Sequence, residues 1–190
     1  MPVTSLPLNV EIETKAVLRK TASARSALAE LKGIITTIPN ENILIETLTL
    51  QEARESSAIE NIISTFAEVY QSSLFNLQFA SPAAKEVHQY SEALKLGFGL
   101  VKKHGILTNN FILQMHRVIE QNDAGFRTLP GTKLLNDRTG AVVYEPPQDG
   151  EIIKQLMANL EEFINNDELM DADPLVKMAI IHHQFESIHP

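Results

Sequence analysis

The chain has 190 residues, a formal charge of −8 at pH 7 and no cysteine. Its length suits one domain with a core that needs no covalent staple. The acidic balance excludes a general binder of nucleic acid or anionic membrane, which needs a broad basic face, and the lack of cysteine excludes disulfide scaffolds, thiolate metal sites and thiol catalysis.

The opening, "MPVTSLPLNVEIETK", has neither the basic stretch nor the apolar run of a secretory signal, and no later apolar run is long enough to span a bilayer. The expected location is cytoplasmic. Residues Glu13 to Leu31 lack proline and glycine and are rich in Ala, Leu, Lys, Arg and Glu, which predicts a helix ending near Gly33. One or two further helices are expected over "PNENILIETLTLQEARESSAIENIISTFAEVY", which begins at Pro39. Ser81 followed by Pro82 reads as an N-cap and first helical position, opening a helix through about Gly97. Thr108 opens another over "NNFILQMHRVIEQ".

One stretch breaks the helical pattern. "TKLLNDRTGAVVYEPP" sets short apolar runs on either side of Asp137, Arg138, Thr139 and Gly140 and ends in Pro-Pro, which predicts a lone β-hairpin. Asp149 then opens a helix whose Ile153, Leu156, Leu160, Phe163 and Ile164 form one apolar stripe. Asp173 and Pro174 open the last helix, "LVKMAIIHHQFESI". The expected fold class is all-α with one small hairpin.

Three of the six histidines, His182, His183 and His189, fall in the closing "HHQFESIHP". Helical geometry puts His182 and His189 about 20° apart on one face, with Glu186 between them. His182 and His183 are expected to be partly buried and hydrogen-bonded. Two histidines and a carboxylate on neighbouring turns lack the spacing of the His-Glu-x-x-His zinc motif, so no metal site is expected within the chain. His189 differs, because Pro190 drives the residue before it out of helical geometry. A histidine at such a break can serve as a general base. Glu186 can orient that imidazole or remain a surface or capping carboxylate, the second being favoured. Arg127 in "GFR" can support the hairpin base or form a salt bridge, and the salt bridge is favoured.

The ending resembles the opening of the signature of the Fic/DOC (filamentation induced by cAMP) family. That signature reads His-Pro-Phe, a variable residue, Asp or Glu, Gly-Asn-Gly-Arg and, after two variable residues, a second Arg. The chain holds its first two positions, His189 and Pro190. Three separated stretches are similar to the family, in the family's order. "SSAIEN" is similar to its inhibitory motif of Ser or Thr, three residues, Glu, then Gly or Asn, here Ser56, Glu60 and Asn61. "GFRTLPGTKLLNDRTGAVVYEPP" is similar to the approach to the family's flap hairpin and the flap itself, and "ADPLVKMAIIHHQFESIHP" to the helix that delivers the catalytic loop.

The resemblance runs from about Ala27 to Pro190. It implies a Fic-type helical domain with a β-hairpin flap, divided into an N-terminal helical region, residues 1–75, with the inhibitory motif, and the N-terminal part of the Fic domain, residues 76–190. The flap spans 132–145, and the chain ends inside the catalytic loop. The implied activity is that of an autoinhibited protein adenylyltransferase, which moves AMP from ATP to a Ser, Thr or Tyr hydroxyl of a target protein. His189 would be the base. Leu134, Leu135 and Asn136 on one arm of the flap, and Val142, Val143 and Tyr144 on the other, would align an extended target segment by main-chain pairing. Glu60 would oppose the reaction by pairing with the second signature Arg and crowding the ATP γ-phosphate. ATP and Mg²⁺ are expected for the completed protein, and neither is expected to bind tightly to these residues alone. No nucleic-acid or membrane partner is expected, and the oligomeric state is left open. Alternatives are a non-catalytic helical binding or regulatory module, and a Fic enzyme that removes AMP or transfers phosphocholine or UMP.

Overall fold

The computed structural model describes residues 3–190 except 36, 39, 40, 60, 76–80 and 137. Pro39, Glu60 and Asp137, all used in the sequence reading, lie outside the described residues. The order of elements is α1 (Lys15–Ile35), α2 (Glu41–Ile59), α3 (Phe66–Phe75), α4 (Pro82–His104), α5 (Asn109–Glu120), β1 (Leu134–Leu135), β2 (Val142–Tyr144), α6 (Gly150–Asn165), a 3₁₀ turn (Asp167–Leu169) and α7 (Pro174–Ile188). The all-α expectation with a small hairpin is borne out. No helix among the described residues is long and apolar enough to cross a membrane. The chain forms two compact units, one of Met1–Lys32, Leu107–Asn109 and Ala124–Pro190, the other of Gly33–Ile106 and Asn110–Asp123.

In the second unit α2 and α3 pack on α4 around Leu50, Ala53, Val69 and Val87, flanked by Tyr70 and Tyr90. The start of α3 is a capping box: Thr65 N–H donates to Glu68 Oε2 at 2.8 Å, and Glu68 N–H donates to Thr65 Oγ1 at 3.2 Å. The Ser81 hydroxyl caps α4 by accepting from Ala84 N–H at 3.1 Å, with Pro82 at the helix start. The end expected near Gly97 is corrected. Gly97 lies inside the helix, and a Cβ there would overlap Met115 Sδ of α5, so its role is close helix approach. The true terminator is Gly105, whose φ of 72° is the left-handed conformation that closes helices.

In the first unit α6 packs on α7. Asp149 caps α6 by accepting from Glu151 N–H at 2.8 Å, and Asp173 caps α7 by accepting from Leu175 N–H at 2.9 Å. The buried stripe of α6 is Ile153, Leu156, Met157, Leu160 and Phe163, whereas Ile164 is only half-buried. The buried face of α7 runs Val176, Lys177, Ile180, Gln184, Ile188, two polar residues among three apolar ones. Lys177 reaches past α7 to the C-terminal end of α6. Its Nζ bonds Asp167 at 2.6 Å and the carbonyls of Ile164 and Asn166 at 3.4 and 3.3 Å, where helix-end carbonyls favour a cation.

The residues before α1 are stitched to the same two helices. Asn159 of α6 accepts from Leu6 N–H at 2.7 Å and donates to Leu6 C=O at 2.9 Å. Gln184 of α7 donates to Thr4 C=O at 2.8 Å, and Glu13 accepts from Asp173 N–H at 3.0 Å. Leu6 itself is buried.

Candidate active site

His189 stands immediately after α7. Its N–H still bonds Phe185 C=O at 3.0 Å, while its φ of 49° and ψ of 63° are left-handed. The expected departure from helical geometry is present, in a region that non-glycine residues seldom enter and that persists only when surroundings hold it. The residue is exposed. Its carbonyl is held by the Arg127 side chain, whose Nε donates to it at 3.2 Å. The Arg127 Nη2 donates to Pro147 C=O at 2.6 Å, at the base of the hairpin. The salt bridge favoured for Arg127 is therefore corrected: its described partners are two main-chain carbonyls, one of them at the hairpin base.

The hairpin pairs Leu134 with Tyr144 and Leu135 with Val142 in antiparallel register, with an irregularity between Leu134 and Leu135. Its turn is set by Asn136, whose Oδ1 accepts from the N–H groups of Arg138 and Thr139, both at 3.0 Å. Gly140, φ 68°, supplies the left-handed residue and donates to Asn136 C=O at 2.8 Å. The arms close at their base through Gln148, which accepts from Gly131 N–H at 2.6 Å and donates to Thr132 C=O at 3.0 Å and Pro146 C=O at 2.7 Å. Leu134, Leu135, Val142 and Val143 are exposed, at 58%, 49%, 52% and 62%, so apolar arms face solvent instead of a core. Tyr144 alone is anchored, its hydroxyl donating to Ser187 C=O of α7 at 2.6 Å.

His182 and His183 are exposed, and no side-chain hydrogen bond ties either to a described residue. This corrects the expected partial burial, because α7 turns Gln184 inward between them and its end. Glu186 is exposed and makes no described hydrogen bond with His189, so the structure does not bring these two side chains together. No group of three or more His, Cys, Asp or Glu that could hold a metal occurs among the described residues. An apolar cavity of about 940 Å³ lies in the same unit between the N-terminal residues, α1 and α7; Tyr144 and Ser187 reach its wall and His189 does not.

Ser56 and Asn61 lie at the far end of α2, in the second unit. The Ser56 hydroxyl donates to Glu52 Oε1 at 2.9 Å, one turn back. Asn61, φ 64°, is the left-handed residue just after the helix, with its N–H on Ala58 C=O at 3.2 Å. That position accepts glycine or asparagine for a backbone reason. Glu60 between them is outside the described residues.

Sequence reasoning missed Gln148, Tyr144 as an anchor, and the N-terminal stitching. Gln148 and the N-terminal residues carried no motif, whereas Tyr144 was noted only as part of the hairpin arm. A family model described as Fic/DOC family N-terminal matches residues 18–99, and one described as Fic/DOC family matches residues 106–190. The second spans the hairpin, α6, α7 and His189, the first spans α2 and the Ser56 to Asn61 motif, and the chain belongs to the Fic/DOC family.

Proposed function

We propose that the protein is an autoinhibited transferase that moves AMP from ATP to a hydroxyl side chain of a target protein, with this chain supplying the base and the target-docking hairpin. The reading is carried by one observation: exposed His189 and the exposed hairpin are tied within one compact unit through Tyr144, Ser187, Arg127 and Pro147. In the step, His189 takes the hydroxyl proton as the hydroxyl oxygen bonds to the α-phosphorus. The bond from that phosphorus to its bridging oxygen breaks, and pyrophosphate leaves. A target segment added to the hairpin edge would bring many different side chains to the same place, because main-chain pairing sets the register.

Autoinhibition rests on the order of Ser56, Glu60 and Asn61 and on the left-handed helix stop at Asn61. The test uses the full-length protein with ATP labelled at the α-phosphate. Glu60→Gly should acquire label on itself or on added target, and Glu60→Gly with His189→Ala should not. Label arriving only from the γ-phosphate, or only from a choline or uridine nucleotide, would overturn AMP as the transferred group.

A further inference from the structure

We infer that Arg127 is a positioning residue that registers the hairpin to His189, so that a segment docked on the one presents its hydroxyl to the other. This deepens the reading above and rests on it for the chemistry, but the register itself is a property of the fold. The guanidinium is a rigid planar fork. Nη2 holds the Pro147 carbonyl, where the hairpin rejoins the chain, and Nε holds the carbonyl of His189. Its remaining nitrogen, Nη1, is buried with no hydrogen-bond partner among the described residues, and no described carboxylate pairs with the group. Arg127 is half-buried and has no carboxylate partner among the described residues, so the fork is not explained as an ion pair. Its two carbonyls belong to the two parts that must meet a target together.

The left-handed backbone of His189 makes the contact consequential. Among the described residues, its main chain is held by its own N–H on Phe185 and by Arg127 on its carbonyl. Releasing the carbonyl frees the residue to leave φ 49°, and the imidazole swings with it. The hairpin has other ties, within its base at Gln148 and to α7 through Tyr144, so its arms survive the loss, but among the described bonds only Arg127 reaches the His189 carbonyl itself. Lysine keeps the charge and most of the stem but has one ammonium, which cannot span both carbonyls in the fixed geometry of the fork.

The test compares wild type, Arg127→Lys and Gln148→Ala in the full-length protein, by amide hydrogen exchange and by target labelling. Arg127→Lys should lower protection of the His189 amide at least tenfold, leave the α6 amides unchanged, and lower kcat at least tenfold with target KM within about twofold. Gln148→Ala should loosen the hairpin amides of Asn136 and Gly140, raise target KM, and leave the His189 amide alone. In wild type, the Arg127 Nε–H should itself be slow to exchange, a measurement that needs no variant. An unprotected Nε–H, or wild-type exchange at His189 in Arg127→Lys, overturns the register. If the exchange arm succeeds and no label is transferred by wild type or by Glu60→Gly, the transferase reading fails and the register stands.

Discussion

The Tyr144 hydroxyl donates to the main-chain carbonyl of Ser187 across 2.6 Å, two residues before His189. Because α7 stops at Ile188, that carbonyl belongs to the last turn and has no helical N–H of its own. The hairpin therefore supplies a missing helix cap, and the helix anchors a strand whose other side chains are left in solvent.

Tyr144→Phe removes this bond and little else. A single hydrogen bond contributes about 0.5–1.5 kcal/mol, so the melting temperature should drop only slightly. Target labelling should fall several-fold, because the anchored strand adjoins His189. Loss of melting temperature without loss of labelling would assign the bond to stability alone.

Val143→Pro removes a main-chain donor from an exposed strand. Labelling of a separate target should fall much more than thermal stability, measured by circular dichroism on the same sample. An equal collapse of both would show that the hairpin is part of the core.

Glu60→Gly should raise self-labelling about tenfold or more, since ~1.4 kcal/mol of relieved penalty already gives that factor. Glycine also loosens the backbone wherever it stands, so Glu60→Gln is measured beside it to separate charge from backbone. An unchanged rate in a variant that binds ATP would remove the inhibitory role and favour removal of AMP.

Lys177→Ala should destabilise the first unit by about 1–3 kcal/mol in urea unfolding, by leaving partly buried carbonyls of Ile164 and Asn166 without their donor. Asp167→Asn should cost far less, because the Asp167 side chain is 96% exposed and solvates freely.

Asp173 gives a pH signature. Its carboxyl is held below the ordinary carboxylate range, chiefly by accepting from Leu175 N–H; burial opposes this, and Arg25 lowers it further. The folded pKa is lower than the unfolded one, so the stabilisation is complete above the ordinary carboxylate range and is lost as pH falls through the depressed value. The stability difference between wild type and Asp173→Asn should thus be full at neutral pH and shrink on acidification. A difference that is constant with pH would mean that the carboxylate charge contributes nothing.

Helix starts were legible because their signals are local: Ser81, Asp149 and Asp173 each cap the helix that the sequence assigns to them. Gly97 misled because glycine serves both as a terminator and as a place of close approach, and the deciding neighbour, Met115, is remote in sequence. The burial of α7 was misjudged for a related reason. Its inward face passes through Lys177 and Gln184, which are acceptable inside only because Asp167 and the Thr4 carbonyl receive them. Of the candidate site, His189 and the hairpin were legible as motif and pattern. The carbonyl partners of Arg127 were not, since a main-chain acceptor leaves no mark on residue identity.

The bonds between Leu6 and Asn159 span 153 positions, and that between Thr4 and Gln184 spans 180. Contacts so distant in sequence form late, because the intervening loop must close first. A chain emerging from the ribosome presents Thr4 and Leu6 long before α6 and α7 exist to receive them. Through that wait Leu6 has no core to enter. A segment made before these helices is thus among the last to find its place, and closure of the unit that carries His189 is deferred until the helix ending at Ile188 has been made.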